Sequence, residues 1–202
     1  KCGIHWKPEK FSADGQTRTP AQWPLMVVTD CHMNCNEYNI KIEAGWQIMI
    51  KGCSFYGVDN EAVYGSPYPS NFISRSIYLD KYTTNSIISG NTFSDVIGND
   101  GTPLNNGGWG PSIEVDGHLN LITSNTFASD GLHGDDEPYV KFSSTASGNT
   151  VTNNKVIMSN INNTSYINNG FPASLASKFA FNVENNASGN TSILKNIIEN
   201  NY

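Results

Sequence analysis

Apolar and polar residues alternate in four short segments: Ile77-Tyr78-Leu79-Asp80, Ile113-Glu114-Val115-Asp116, Val140-Lys141-Phe142-Ser143 and Phe181-Asn182-Val183-Glu184. Period-two alternation sends one set of side chains to a buried face and the other outward, the pattern of a half-buried strand. No long window keeps the spacing of an amphipathic helix, and Gly, Pro and Asn interrupt the chain every few residues. The pattern predicts an all-β chain of short strands.

A second pattern follows each of these segments. Ile88-Ser89-Gly90-Asn91-Thr92-Phe93 recurs as Ile122-Thr123-Ser124-Asn125-Thr126-Phe127, as Val151-Thr152-Asn153-Asn154-Lys155-Val156 and as Ile193-Leu194-Lys195-Asn196-Ile197-Ile198. An earlier copy, Ile50-Lys51-Gly52-Cys53-Ser54-Phe55, has Cys in place of Asn. A further echo pairs Ala146-Ser147-Gly148-Asn149-Thr150 with Ala187-Ser188-Gly189-Asn190-Thr191. Repeats of about 30 to 40 residues fit a solenoid in which one repeat is one coil, and only stacking buries the apolar face. The Asn is expected at a tight corner, where it tolerates left-handed backbone angles and its amide can bond the Asn of the next coil. That makes it a structural residue and not a chemical one.

Composition agrees. Charged residues are 15% and hydrophobic residues 38%, with 27 Asn, 21 Ser, 14 Thr and 18 Gly. Aromatics at 11% argue against disorder. Twelve basic against 18 acidic residues give a net charge of −6, so the basic surface that nucleic acid requires is lacking. No apolar run approaches the roughly 18 residues of a spanning helix, so neither nucleic acid nor membrane insertion is expected. The chain opens at Lys1-Cys2-Gly3 without an initiator Met and reads as a segment of a longer protein. The cysteines, Cys2, Cys31, Cys35 and Cys53, all lie near the start. Cys31-His32-Met33-Asn34-Cys35 lacks the second ligand pair of a zinc site. Free, buried or half-buried thiols are expected, with no metal and no cofactor.

The stacked motifs, most of all Trp46-Gln47-Ile48-Met49-Ile50-Lys51-Gly52-Cys53-Ser54-Phe55, resemble the right-handed parallel β-helix of the pectin-lyase-like class, and within it the bacteriophage tailspikes. The resemblance implies a single-stranded parallel β-helix over 23–202, preceded by a lead-in over 1–22. It also implies an enzyme that degrades bacterial surface polysaccharide (capsule or O-antigen), a homotrimer, and a place on a virion tail or outside the cell.

On such a coil Ile113 and Val115 point inward, and Glu114 and Asp116 point outward. The same alternation turns Tyr78, Asp80, Lys141 and Ser143 outward, so Asp80 should stack near Asp116, with Glu114 between Tyr78 and Lys141. Glycoside hydrolysis needs one carboxyl protonated as acid and one ionised as base or nucleophile. Asp80, Glu114 and Asp116 are therefore the candidate catalytic residues. Glu114 and Asp116 lie about 6.6 Å apart along one strand, which points to inversion. Asp80 and Asp116, across coils, come nearer the roughly 5 Å of a retaining pair. The same-strand pair is favoured.

Tyr78, Trp109, His118 and Lys141 are candidate substrate-binding residues, with Trp109 flanked by glycines in the loop before the carboxylate strand. Tyr56, Tyr64 and Tyr68 are weaker candidates for a wall, and Asp135 and Asp136 of the acidic run 130–137 are a second place for chemistry. Two rival readings stand. One is a non-catalytic glycan-binding or structural β-helix, as in an adhesin or fibre. The other is a polysaccharide lyase, for which Arg18 and Arg75, the only arginines, leave few parts.

Overall fold

The computed structural model describes residues 2–11, 18–20, 25–33, 37–56, 73–95, 108–109, 111–129, 139–158, 181–183 and 197–199. Among them every regular element is a strand, and almost every pairing is parallel. The first sheet runs β1 (Cys2–Trp6), β6 (Tyr38–Ile42), β10 (Ile73–Leu79), β15 (Ile113–Val115), β18 (Val140–Phe142) and β21 (Phe181–Val183), with β14 (Gly108–Trp109) beside the start of β10. The second runs β4 (Val27–Thr29), β8 (Met49–Lys51), β12 (Ile87–Ser89), β16 (Leu121–Thr123), β19 (Thr150–Thr152) and β22 (Ile197–Glu199). The third runs β5 (His32–Met33), β9 (Ser54–Tyr56), β13 (Thr92–Asp95), β17 (Thr126–Ser129) and β20 (Lys155–Met158). Two short pairs complete the set: β7 (Gly45–Trp46) with β11 (Thr83–Thr84), and the antiparallel β2 (Glu9–Phe11) with β3 (Arg18–Pro20).

Among the described residues the chain visits the first, second and third sheets in turn and then returns to the first, so each circuit up to β20 adds one strand to each sheet, and β21 and β22 extend the first and second. Within 1–22, β1 already pairs in parallel with β6, so the expected lead-in contributes a strand to the first sheet. Inward residues stack by type. Ile40, Ile77, Ile113 and Val140 align on the first sheet, and Val28, Ile50, Ile88, Ile122 and Val151 on the second. All belong to one buried cluster shared with the third sheet. On that third sheet Phe55, Phe93 and Phe127 stack with ring centroids 5.0 and 4.9 Å apart. The Ile and Phe of the repeated motif are thus core residues of successive circuits, except in the copy expected at 193–198: Val151 pairs with Ile198 and not with Ile193, so that copy is five residues out of register.

The motif Asn lies between them, at the corner from second to third sheet, and is buried. Asn91 donates from both its backbone N–H and Nδ2 to Oδ1 of Asn125, each at 3.0 Å. Asn125 repeats this toward Asn154 at 2.9 and 3.0 Å. Each Nδ2 also donates to a carbonyl of the preceding circuit: Ile50, Ile88 and Ile122 respectively, all at 3.0 Å. A second ladder occupies the corner from first to second sheet, where Ser86 N–H donates to Asn120 Oδ1 and Asn120 donates to Asn149 Oδ1.

The left-handed backbone falls one residue earlier than the sequence suggests. It is adopted by Asp30, Gly52, Gly90, Ser124 and Asn153 at one corner, and by Gln47, Asn85, Leu119 and Gly148 at the other. The ladder Asn keeps ordinary angles and spends its amide on the neighbouring circuit. This division of labour explains why Gly, Ser or Asn can precede the motif Asn.

Replacing Asn125 by Ala strands the buried N–H of Asn91 and the Ile88 carbonyl. The expected cost is about 2–4 kcal/mol, a fall in Tm of roughly 4–12 °C in thermal unfolding. Leu119 is 58% exposed with φ 56°, a conformation that costs a branched residue about 1–2 kcal/mol. Leu119→Asn should therefore raise Tm by a few degrees, and a fall would show that the Leu side chain contributes more than its backbone costs.

Candidate active site

The first sheet carries its polar residues outward because Ile77, Leu79, Ile113 and Val115 are wholly buried on its inner side. Register then fixes the neighbours. His5, Lys41, Tyr78, Glu114, Lys141 and Asn182 fall in one row across successive strands. The next row follows the strand ends: Glu43 N–H bonds the Trp6 carbonyl, Asp80 N–H the Ile42 carbonyl, Asp116 N–H the Leu79 carbonyl and Ser143 N–H the Val115 carbonyl. Tyr78, Asp80, Glu114, Asp116 and Lys141 therefore share one face, with Glu114 between Tyr78 and Lys141 as the alternation predicts.

The three carboxylates of this face have different partners. Asp116 Oδ2 accepts a hydrogen bond of 2.6 Å from the Tyr78 phenol. Burial, that bond and the Asp116 charge push the phenol well above its ordinary range, so Tyr78 stays a donor. Glu114 Oε2 forms an ion pair with Arg75 Nε, both side chains being mostly buried. The Arg75 guanidinium also lies 5.4 Å from the centre of the Tyr38 ring and donates from Nη1 to its hydroxyl at 3.4 Å.

Asp80 opens a turn in which Thr83 N–H bonds its carbonyl at 2.8 Å. One carboxylate oxygen, Oδ1, is buried with no hydrogen-bond partner. Burial and then the charge of Asp116 raise the pKa of Asp80, against the backbone N–H groups of Tyr82 and Lys81, which favour the anion. Asp80 is thus a carboxyl whose surroundings favour holding a proton.

One circuit earlier, Glu43 gathers two lysines and a histidine. It receives His5 Nε2 at 2.9 Å, Lys41 Nζ at 3.0 Å and Lys7 Nζ at 3.4 Å. Burial opposes its charge, but the Lys41 and His5 hydrogen bonds and the nearby lysine charges outweigh it and hold the carboxyl down to about 2. The sequence pattern did not point to this group or to Tyr38, and it offered Arg75 only as a part for a lyase, not as the partner of Glu114. Ile40-Lys41-Ile42 shows the same alternation as the later strands, and aligning it with them would have found Lys41.

The remaining candidates lie elsewhere. His118 sits at the corner beyond Gly117, bridged to Thr84 and Ser147 and bonding Ser147 Oγ through Nδ1 at 2.7 Å, on the ladder beside the first sheet. Gly117 is required there, since a Cβ would stand 2.2 Å from the Thr83 carbonyl oxygen. The Trp109 backbone pairs with Ser74 at the start of β10, and its side chain lies outside what is described. Tyr64, Tyr68, Cys35, Asp135 and Asp136 lie outside the described residues. Tyr56 ends β9 on the third sheet, its ring 4.9 Å from His32. Among the described residues no group of three or more His, Cys, Asp or Glu could hold a metal ion.

Because Asp80 has a raised pKa, its charge destabilises the fold above that pKa, and the penalty disappears as pH falls below both its folded and unfolded values. Asp80→Asn should melt higher than the parent at pH 7, with the gain shrinking as Asp80 protonates in the parent. An equal gain at every pH would show that the charge is not the cause. Comparison of the chain with family models, curated proteins and solved structures finds no match.

Proposed function

We propose that the chain is a right-handed parallel β-helix of the tailspike-like class, and that it binds and hydrolyses a bacterial surface polysaccharide at the Asp80–Asp116 face. The cyclic visit to three parallel sheets supports the fold. The observation that carries the activity is the unequal treatment of two neighbouring carboxylates: Asp80, raised by burial and keeping an unpartnered oxygen, beside Asp116, held by the Tyr78 phenol. Two such groups divide the roles of acid and nucleophile.

Asp80 in its protonated form gives its proton to the glycosidic oxygen as the bond to the anomeric carbon breaks. Asp116, steadied through Oδ2 by Tyr78, offers Oδ1 to that carbon and forms a glycosyl ester. Asp80, now ionised, takes a proton from the water that releases the sugar. Adjacent strands lie about 4.8 Å apart, close to the separation of about 5–5.5 Å typical of retaining enzymes. Glu114 is occupied by Arg75, so the cross-strand pair replaces the same-strand pair and the reading becomes retention. Glu114 and Arg75 shape the floor and do not transfer protons. The net charge of −6 favours neutral or amino sugars over strongly anionic ones.

The same reading assigns a homotrimer on a virion tail. On the outer face of the second sheet Val27, Met49, Ile87 and Leu121 align in one row, with Val27 63% exposed, and burial against other copies would remove that row from water.

The test is incubation with a panel of bacterial surface polysaccharides, following reducing ends and the anomeric configuration of the first product. The expected outcome is depolymerisation with retention and no unsaturated product, reduced about 10²–10⁴-fold in Asp80→Asn and Asp116→Asn and less than tenfold in Glu114→Gln. Tight binding without cleavage across the panel would favour an adhesin. An unsaturated product would establish a lyase, and cleavage indifferent to both Asp substitutions would move the chemistry off this face.

A further inference from the structure

The ladder at the corner between second and third sheets changes chemistry at its first two positions. Asn154, Asn125 and Asn91 are followed, one circuit at a time, by Cys53 and Cys31. The alignment is set by backbone bonds: Cys53 N–H donates to Asn91 Oδ1 at 2.9 Å, Ser54 N–H donates to the Cys31 carbonyl at 2.8 Å, and His32 pairs with Ser54. The Cys53 thiol even repeats the bond of the ladder amides, pointing at the Val28 carbonyl of the preceding circuit at 3.8 Å, as Asn91 points at Ile50.

The Asn ladder therefore ends at Cys53, because a thiol is a weak acceptor and cannot pass the chain of amide bonds onward. What it can do is bond covalently to its neighbour. Both cysteines are free thiols, Cys53 buried and Cys31 partly exposed and packed against the same core cluster. The Cys31 thiol donates to the Thr29 carbonyl at 3.2 Å and the Cys53 thiol lies 3.4 Å from the Lys51 carbonyl, so each thiol bonds the carbonyl two residues before it at the same corner. Residues directly opposite on neighbouring strands are separated by about 4.8 Å, inside the span of Cα separations, roughly 4.4–6.8 Å, that a disulfide bridges.

We infer that Cys31 and Cys53 are a redox-active dithiol that closes to a disulfide and staples the first two circuits together at the ladder's end. The oxidant is a low-molecular-weight disulfide. The Cys31 thiolate, the accessible one of the pair, attacks it and releases one thiol, leaving a mixed disulfide on Cys31. Cys53 then loses its proton, attacks the Cys31 sulfur and releases the second thiol. Two cysteine thiols are oxidised, and one small disulfide is reduced to two thiols. Burial raises the Cys53 pKa, consistent with its acting second.

The location gives the bond a purpose. Among the described residues β4 and β5 are the terminal strands of the second and third sheets, each with a single neighbour. The bond would span the corner between them and tie it to the β8–β9 corner beneath. Closing one circuit removes chain entropy from the unfolded state. It does so at an end of the stack, where strands are hydrogen-bonded on one side only among the described residues.

The experiment uses the full chain, reduced and then incubated with oxidised glutathione at pH 8. Peptide mapping with fragment-ion assignment reads the linkage, and thermal unfolding reads its effect. The expected linkage is Cys31–Cys53, with Tm raised by about 5 °C or more over the reduced protein, reversed by dithiothreitol and abolished in Cys31→Ser. Cys53→Asn restores the ladder residue and so guards against mere misfolding. It should keep a Tm near that of the reduced parent and show no response to oxidant. Linkage through Cys2 or Cys35, a glutathione adduct that persists on Cys31, or an unchanged Tm on closure would overturn the inference.

Discussion

Buried amides at two corners are the constraint on which the rest of this structure depends. A chain that turns sharply between short parallel strands must bury backbone N–H and carbonyl groups that no strand partner reaches, and each orphan costs on the order of 1–3 kcal/mol. Asn suits the position because its amide carries both an acceptor and a donor. In Asn91, Asn125 and Asn154 the acceptor serves the circuit before and the donor returns to that circuit's carbonyl. The ladder thereby sets register between circuits, since shifting one by a single residue would leave every amide unpaired. Ile and Phe on either side of the Asn supply the burial, and the Asn makes it specific.

That register is also what assembles the candidate site. Asp80 and Asp116 are remote in sequence, and they meet because Leu79 and Val115 are held opposite each other. Connections from third to first sheet, through 34–37, 57–72, 96–107, 130–138 and 159–180, differ in length, and together with the longer stretch 184–196 between first and second sheets they produce the unequal spacing of the repeats. The ladder residues Ser86, Asn120, Asn149, Asn91, Asn125 and Asn154 lie on the short parts of their circuits. Long insertions are therefore tolerated without disturbing the strands that carry the carboxylates, since loop-closure entropy grows only slowly with length.

Much of this was legible in the sequence, for reasons that can be traced to particular residues. Strand alternation placed Tyr78, Glu114 and Lys141 in one row, and the repeated I-x-x-N-x-F pattern announced the stacked Ile, Asn and Phe columns. The corner conformation was misjudged by one position, because Asn is favoured both for left-handed angles and for amide pairing, and sequence does not say which property is used. At Gly90 and Asn91 the two jobs are split between neighbours. Partners of the carboxylates were not legible at all. Arg75 lies outside the alternating quartet that begins at Ile77, and only its reach to Glu114 reveals that this Glu is already occupied.

The two outward rows of the first sheet show how a repetitive scaffold creates dissimilar environments. On the row of strand ends, Glu43 and Asp80 are chemically similar groups one circuit apart, yet Glu43 is held near 2 while Asp80 is raised. The backbone at the two positions is alike, each N–H bonding the carbonyl of the circuit before, so the difference comes from the neighbours that register supplies. Lys41, Lys7 and His5 surround Glu43, whereas Asp80 meets Asp116 and buries an oxygen without a partner. A fold selected only for stability would compensate both carboxylates. That the uncompensated one stands beside a second carboxylate fixed by a phenol is the strongest physical reason to look for chemistry on this face.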